Sequence, residues 1–244
     1  MTAMALTVLV GALSVVQSVF GVGLLVLGTP LLLLAGLRFE TTLWLLLPAS
    51  LTVSAMQLAT DRRVSWRDVQ LVLTTAAPAV VGGLLVTLHT NVAVGVDVPV
   101  AALLLASVLI RLLPDVLAKV RDVCRAHEQV VLGVIGLIHG LTNMGGTILP
   151  AYAASRHTDK TLIRQTIALA YSVFALTQLG TLAATGRETP GALSGWLMIV
   201  AGAVFLTAGR PTFAALSPSR YMLAINTFMV VVAALLLGRR SAAW

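Results

Sequence analysis

Two stretches of this sequence, residues 4–36 and 129–155, stay apolar for 33 and 27 residues, against the ~20 that carry a helix across a bilayer. Neither can be one straight span. Each is interrupted near its middle by glycine, as Phe20-Gly21-Val22-Gly23 and as Gly140-Leu141-Thr142-Asn143-Met144-Gly145-Gly146. Glycine costs roughly 1 kcal/mol in a helix interior, so both helices are expected to break there. Six further apolar stretches, at 43–60, 69–88, 92–113, 162–185, 192–209 and 221–238, bring the total to eight.

Only 16 Lys+Arg and 9 Asp+Glu occur in 244 residues, whereas a soluble domain is about one-quarter charged, which excludes an ordinary globular enzyme and a disordered chain. The expected product is an all-α integral membrane protein, multi-pass in the cell (inner) membrane and partnered by the lipid bilayer. The net charge of +7 comes from short clusters between apolar stretches, as in cytoplasmic loops, so no nucleic acid is expected as a partner. The single cysteine, Cys124, lies in the most polar loop. Disulfide frameworks, cysteine metal sites and iron–sulfur clusters are thereby excluded, and no cofactor is expected. Met1 to Val10 carry no Lys or Arg ahead of the apolar run and no cleavage site, and read as retained structure.

Setting residue n on n+120 brings Pro30 onto Pro150, the break at 21–23 onto that at 141–146, Gly82 onto Gly202 and Thr87 onto Thr207. Two repeats of about four apolar segments are therefore expected, 1–113 and 129–244, joined by a cytoplasmic linker at 114–128, the first segment of each being broken or re-entrant. Generic likeness between apolar stretches is the alternative. If all eight segments cross, ten of the sixteen basic residues fall on one side; if the two long ones are re-entrant hairpins, twelve do. The positive-inside rule favours the second arrangement. It puts 61–68, 111–128, 156–164 and 210–220 in the cytoplasm and leaves three crossings per half, which makes the repeats inverted. Arg239 and Arg240, left outside, count against it.

All nine carboxylates lie at or near segment ends, so no buried acid is offered to a cation or a proton relay. The core supplies neutral donors instead: Gln17, Ser18, Ser50, Thr52, Ser54, Gln57, His139, Thr142, Asn143, Thr147, Gln165, Tyr171, Ser172, Thr177 and Gln178. A helix restarting after a mid-membrane break presents free N–H groups and the positive end of its dipole, so restarts near Gly21 and Gly23 and near Gly145 and Gly146 could face one another and hold an anion. Tight helix packing is the competing use of those glycines, and Ser or Thr in a span can bond to its own backbone. His139 is the only ionisable group well inside a segment and could bind an anion or move a proton; bonding to nearby backbone is the alternative. Arg164 could draw anions to a cytoplasmic mouth or snorkel to the headgroups.

With the duplicated glycine break, the Pro30/Pro150 pair and the Ala49-Ser50-Leu51 step, the chain resembles the sulfite exporter TauE/SafE family, also called toluene-sulfonate uptake permeases, from about Leu9 to Leu237. The resemblance implies transport of sulfur oxyanions such as sulfite, or of organosulfonates. The family's first break is typically a longer glycine run; here it is Gly21-Val22-Gly23, then Thr29-Pro30, while the second copy keeps Gly145-Gly146 and Pro150. Where many members carry a polar or basic residue late in the sixth span, this chain has Thr177-Gln178.

The leading expectation is a secondary transporter, not an enzyme, that moves a small anionic substrate by alternating access, with a proton or sodium as coupling ion and a homo-oligomer possible. The substrate-binding set is Gln17, Ser18, Gly21, Gly23, Ser50, Gln57, His139, Thr142, Asn143, Gly145, Gly146, Thr147, Tyr171, Ser172 and Gln178. No Walker-type loop occurs, so the chain does not hydrolyse ATP. An anion channel is the first rival. An intramembrane enzyme using a pair such as Ser172 and His139 is the second, and no nucleophile motif frames either residue.

Single cysteines at Ser65 and at Thr158, in a Cys124→Ser background, are both expected to be protected from an impermeant thiol reagent added to intact cells. Labelling of only one restores the eight-crossing topology.

Overall fold

The structure, a computed structural model, describes residues 2–61, 63–90, 102, 105–106, 108–110, 112–186 and 191–241, with side chains through 234 except at 232. Most of the apolar stretch 92–113, the residues Arg62, Arg111 and Arg187, and the side chains of Arg239 and Arg240 lie outside the described set. The described chain is helical: α1 (Ala3–Phe20), α2 (Leu24–Leu34), α3 (Phe39–Asp61), α4 (Trp66–Thr90), α5 (Pro114–Ala126), α6 (Glu128–Thr142), α7 (Leu149–Arg156), α8 (Lys160–Ala184), α9 (Ala192–Ala215) and α10 (Pro218–Ser241). Five of these, α1, α3, α4, α8 and α9, are long and apolar enough to cross a membrane. The linker at 114–128 is itself mostly helix, and its Cys124 is buried.

Both long apolar stretches break where glycine interrupts them. Gly21 closes α1 in the left-handed region (φ +78°), its N–H bonding to the Gln17 carbonyl at 2.7 Å. Asn143 (φ +59°) closes α6 on the His139 carbonyl, also at 2.7 Å; asparagine is one of the few side chains that tolerates this conformation. The chain then turns back on itself. The Leu13 side chain lies 3.4 Å from the Cβ position of Gly28, residues that a straight helix would hold ~22 Å apart. The Tyr152 hydroxyl donates to Glu128 Oε1 at 2.8 Å, where a straight helix would separate them by ~36 Å. Thus α1–α2 and α6–α7 are two helical hairpins.

Proline shapes the longer helices. Pro48 in α3 has no N–H for the Trp44 carbonyl one turn back, and Ser194 of α9 donates to it instead at 2.7 Å. The π-helical turns Val72–Ala76 in α4 and Phe205–Gly209 in α9 each lie just ahead of a proline, Pro78 and Pro211, and widening the turn relieves the clash of the ring with the preceding carbonyls.

Four polar connections meet at one end of the bundle. Arg156 pairs with Asp68 at 2.9 Å, Arg164 pairs with Asp61, Lys160 Nζ donates to the Phe213 carbonyl at 2.9 Å, and Arg121 Nε donates to the Ser155 carbonyl at 3.0 Å. These contacts bring together 61–68, the α5 linker, 156–164 and the turn before α10.

Inside the bundle α3 runs against α8 and α9, while α4 packs on α6. The α4–α6 contact is backbone on backbone. A Cβ at Gly83 would lie 2.6 Å from the Leu137 carbonyl oxygen, one at Gly136 2.5 Å from that of Ala76, and one at Gly140 2.3 Å from that of Val80. In lipid, apolar burial does not drive helices together, so such close approach supplies the dispersion energy that holds them. The Gly136-Leu137-Ile138-His139-Gly140 spacing carries this signal in the sequence. Gly140→Ala is expected to destabilise the protein by about 1–3 kcal/mol, whereas Gly133→Ala, where a Cβ meets nothing within 4 Å, should leave stability unchanged or raise it by up to ~1 kcal/mol. Thermal unfolding in detergent compares them, and equal Tm values would show that the close approach carries no stability.

Candidate functional site

At the first break most polar groups are committed to one another or to the backbone, with Gln57 Oε1 and Arg164 Nε left unpartnered. Gln17 Nε2 donates to the Ser50 carbonyl (2.9 Å) and lies within hydrogen-bond distance of Ser50 Oγ (2.9 Å) and Ser54 Oγ (3.1 Å). Gln57 Nε2 donates to the Gln17 and Ser18 carbonyls at 2.8 and 3.0 Å, and Arg164 Nη1 to the Ser18 carbonyl at 3.1 Å. Both carbonyls lie in the last turn of α1, that of Gln17 also accepting the Gly21 N–H, so a glutamine from α3 and an arginine from α8 cap the helix inside the protein. The guanidinium also complements the negative end of the α1 dipole. It pairs with Asp61 and stacks 3.3 Å over the Phe213 ring. Arg164 is 1% exposed, which corrects the expectation that it snorkels to the headgroups: its partners lie inward, on three helices. Ser18 Oγ donates to the Ser14 carbonyl at 2.6 Å. The Cβ space at Gly21 is taken by Ile167, and that at Gly23 by Val16 and Gln17.

The second break is arranged differently. Its helix end is capped: Thr87 Oγ1 donates to the Leu141 carbonyl (3.0 Å), and Thr142 Oγ1 donates to the Ile138 carbonyl (2.7 Å) while accepting from Met144 N (3.0 Å). The side chains around it keep free hydrogen-bonding capacity. Both ring nitrogens of His139, the Tyr171 hydroxyl, both amide atoms of Gln178, Asn143 Oδ1 and Thr147 Oγ1 are buried without a well-formed hydrogen bond, His139 and Gln178 having only each other nearby as partners. The His139 ring meets Tyr171 edge-on (5.8 Å between centroids) and Phe174 at 4.6 Å, and Gln178 lies beside it. Each uncompensated buried polar group costs about 1–3 kcal/mol, and five of the residues that carry one gather at this break.

The two breaks are staggered. The first touches Arg164 and Ile167 of α8, whereas the second lies against Tyr171, one to two turns further along. The hairpins are joined by Asn143 Nδ2, which donates to Thr29 Oγ1 at 2.9 Å, inside α2 rather than at its start. A Cβ at Gly145 would strike His139 Cβ at 2.6 Å, and one at Gly146 the Tyr171 hydroxyl oxygen. These glycines seat the imidazole and the phenol directly on the break. Ser172 returns its hydroxyl to the Ala168 carbonyl at 2.8 Å. Among the described residues no group of three or more His, Cys, Asp or Glu could hold a metal ion. Thr29 joins the site only through its bond to Asn143, and its signal in the sequence is a hydroxyl in an otherwise apolar run.

The family model for the sulfite exporter TauE/SafE matches residues 4–236. No curated protein and no solved structure matches the chain. Since the match spans nearly its whole length, the protein belongs to the sulfite exporter TauE/SafE family, a family of membrane transporters.

The two breaks should respond differently to mutation. Tyr171→Phe removes an unpartnered hydroxyl and should leave Tm within a degree or two while lowering transport at least tenfold. Gln57→Leu uncaps α1 and should cost roughly 1–3 kcal/mol of stability. The reverse pattern in unfolding and uptake assays would assign the ligand to the first break.

Proposed function

We propose that this TauE/SafE-family protein is a secondary carrier that moves a small sulfur oxyanion or organosulfonate by alternating access, binding it at the second break. The observation that carries the reading is the cluster of His139, Tyr171, Gln178 and Thr147, four neutral groups that each keep an unused donor, beside Asn143, whose Nδ2 is committed to Thr29 and whose free atom is the acceptor Oδ1, with no carboxylate among them. A tetrahedral or pyramidal oxyanion accepts several hydrogen bonds at once, and donors held in a dry site favour it without the cost of burying a counter-charge. The N-terminal end of the α6–α7 restart adds its dipole. Gln17, Ser50, Gln57 and Arg164 belong to the frame that holds the first break, against which the second can move.

The two hairpins are re-entrant from opposite faces, and the halves 1–113 and 129–244 are inverted repeats about the 114–128 linker. The gathering of four cationic connections at one end supports this, because the eight-crossing topology would divide them between the two faces. Paired features support the repeat: the left-handed caps Gly21 and Asn143 and the glycines Gly23 and Gly145 both stand 122 residues apart. An enzyme is disfavoured because the Ser172 hydroxyl bonds to its own helix instead of to His139. A channel is disfavoured because His139, Asn143 and Thr147 are fully buried.

Purified protein in liposomes loaded with sulfite or methanesulfonate is expected to give saturable counterflow of the same anion, lost in Tyr171→Phe. Repeating it with imposed pH or sodium gradients identifies the coupling ion. Flux that rises linearly with concentration would make the protein a channel, and substrate turnover without flux an enzyme.

A further inference from the structure

At the polar end of the bundle a pocket of about 430 Å³, open mouth included, lies between α4, α6, α7 and α8. Its floor includes Leu169 and Ala170, the residues that precede Tyr171 in α8. Gln165 lines it and is 1% exposed. Gln165 Oε1 accepts from the Arg63 backbone N–H at 2.8 Å, which fixes the orientation of the amide and leaves Nε2 as a buried donor without a protein partner. Arg63 and Arg156 line the same pocket.

Arg156 is held by two carboxylates, Asp68 of the pocket wall with Oδ1 at 2.9 Å and Glu128 with Oε1 at 3.1 Å, and it donates to the Tyr152 hydroxyl at 3.0 Å. The guanidinium thus ties α7 to the first turns of α4 and α6. His157, half-buried at the end of α7, also lines the pocket; burial and the neighbouring Arg156 hold its imidazole below the usual histidine range despite Asp68 and Asp159. At neutral pH it offers a neutral ring, and the cationic charge of the pocket comes from the two arginines against Asp68.

We propose that this pocket is a second anion site, a vestibule in which Gln165 Nε2 and the Arg63 guanidinium hold a small oxyanion or sulfonate before it reaches the second break. An anion seated there competes with Asp68 for Arg156, so its arrival loosens the tie between α7 and α4. The inference rests on the carrier reading for the identity of the anion. Geometry alone, a locked buried donor in a pocket that Arg63 and Arg156 also line, carries the site.

The test is protection of a cysteine that does not depend on transport. Thr166→Cys in a Cys124→Ser background places a thiol on the pocket wall. In detergent-solubilised protein, methanesulfonate is expected to slow its labelling by an uncharged thiol reagent at least fivefold. The protection should persist in Tyr171→Phe and be lost in Gln165→Glu, which keeps the acceptor for Arg63 N–H while replacing the donor by a negative charge. Arg63→Gln should raise the concentration for half-protection about tenfold, and sulfate should compete with methanesulfonate. Protection that survives Gln165→Glu, or that disappears with Tyr171→Phe, would overturn the vestibule. Protection with no counterflow in liposomes would leave the vestibule standing and remove the carrier reading, so the two failures are separable.

Discussion

Hydrocarbon offers no hydrogen bonds, so a helix that ends inside a membrane must find partners for its last carbonyls within the protein. Most of the architecture follows from that demand at α1. Its end stops against Gln57 from α3 and Arg164 from α8, and the charge of Arg164 is in turn compensated by Asp61 and covered by Phe213. Four helices are thereby drawn around one helix terminus. A buried guanidinium would be costly alone, but here it is shared between an ion pair, a carbonyl and an aromatic face.

The second break solves the same problem with less. Thr87 and Thr142 supply the caps from hydroxyls already near the helix end, so the larger side chains, His139, Tyr171 and Gln178, are not consumed in holding the backbone. This difference separates a hairpin that frames the structure from one whose polar groups remain available to a ligand. Both hairpins need residues without bulk where rings or helices lie on them. Gly146 carries the Tyr171 hydroxyl on its face, and Gly136 and Gly140 bring α6 onto the backbone of α4, tying the position of His139 to that of α4.

On the proposed reading the substrate enters from the polar end. The connections between helices meet there, Arg156 of α7 pairs with Asp68 of α4 and Glu128 of α6, and the pocket beside it is lined as far as Ala170, the residue before Tyr171. The ion pairs are partly solvated and individually weak, a property suited to contacts that exchange during a transport cycle. The buried Arg164 pair has a different character, since breaking it would leave an uncompensated charge inside the bundle.

Local chemistry made part of this protein legible without coordinates. The scarcity of charge and the length of the apolar runs require a membrane protein, and the helix breaks at Gly21–Gly23 and Asn143–Gly146 follow from backbone preferences of the residues that stand there. The motif that carries the family resemblance is local as well. Sequence could not tell which polar groups would be used up by the fold. Gln17 and His139 occupy similar places before their breaks, yet Gln17 is consumed by Ser50, 33 residues away, and His139 meets no such partner. Arg164 reads as a loop residue until Ser18, 146 residues distant, is brought against it. The stagger of the two breaks is equally non-local, because helices apolar on every side carry no periodic signal of which face meets which neighbour or at what depth. Tertiary packing decided it through the glycine contacts of α4 and α6 and the Asn143–Thr29 bond, leaving one break filled and the other with donors to spare.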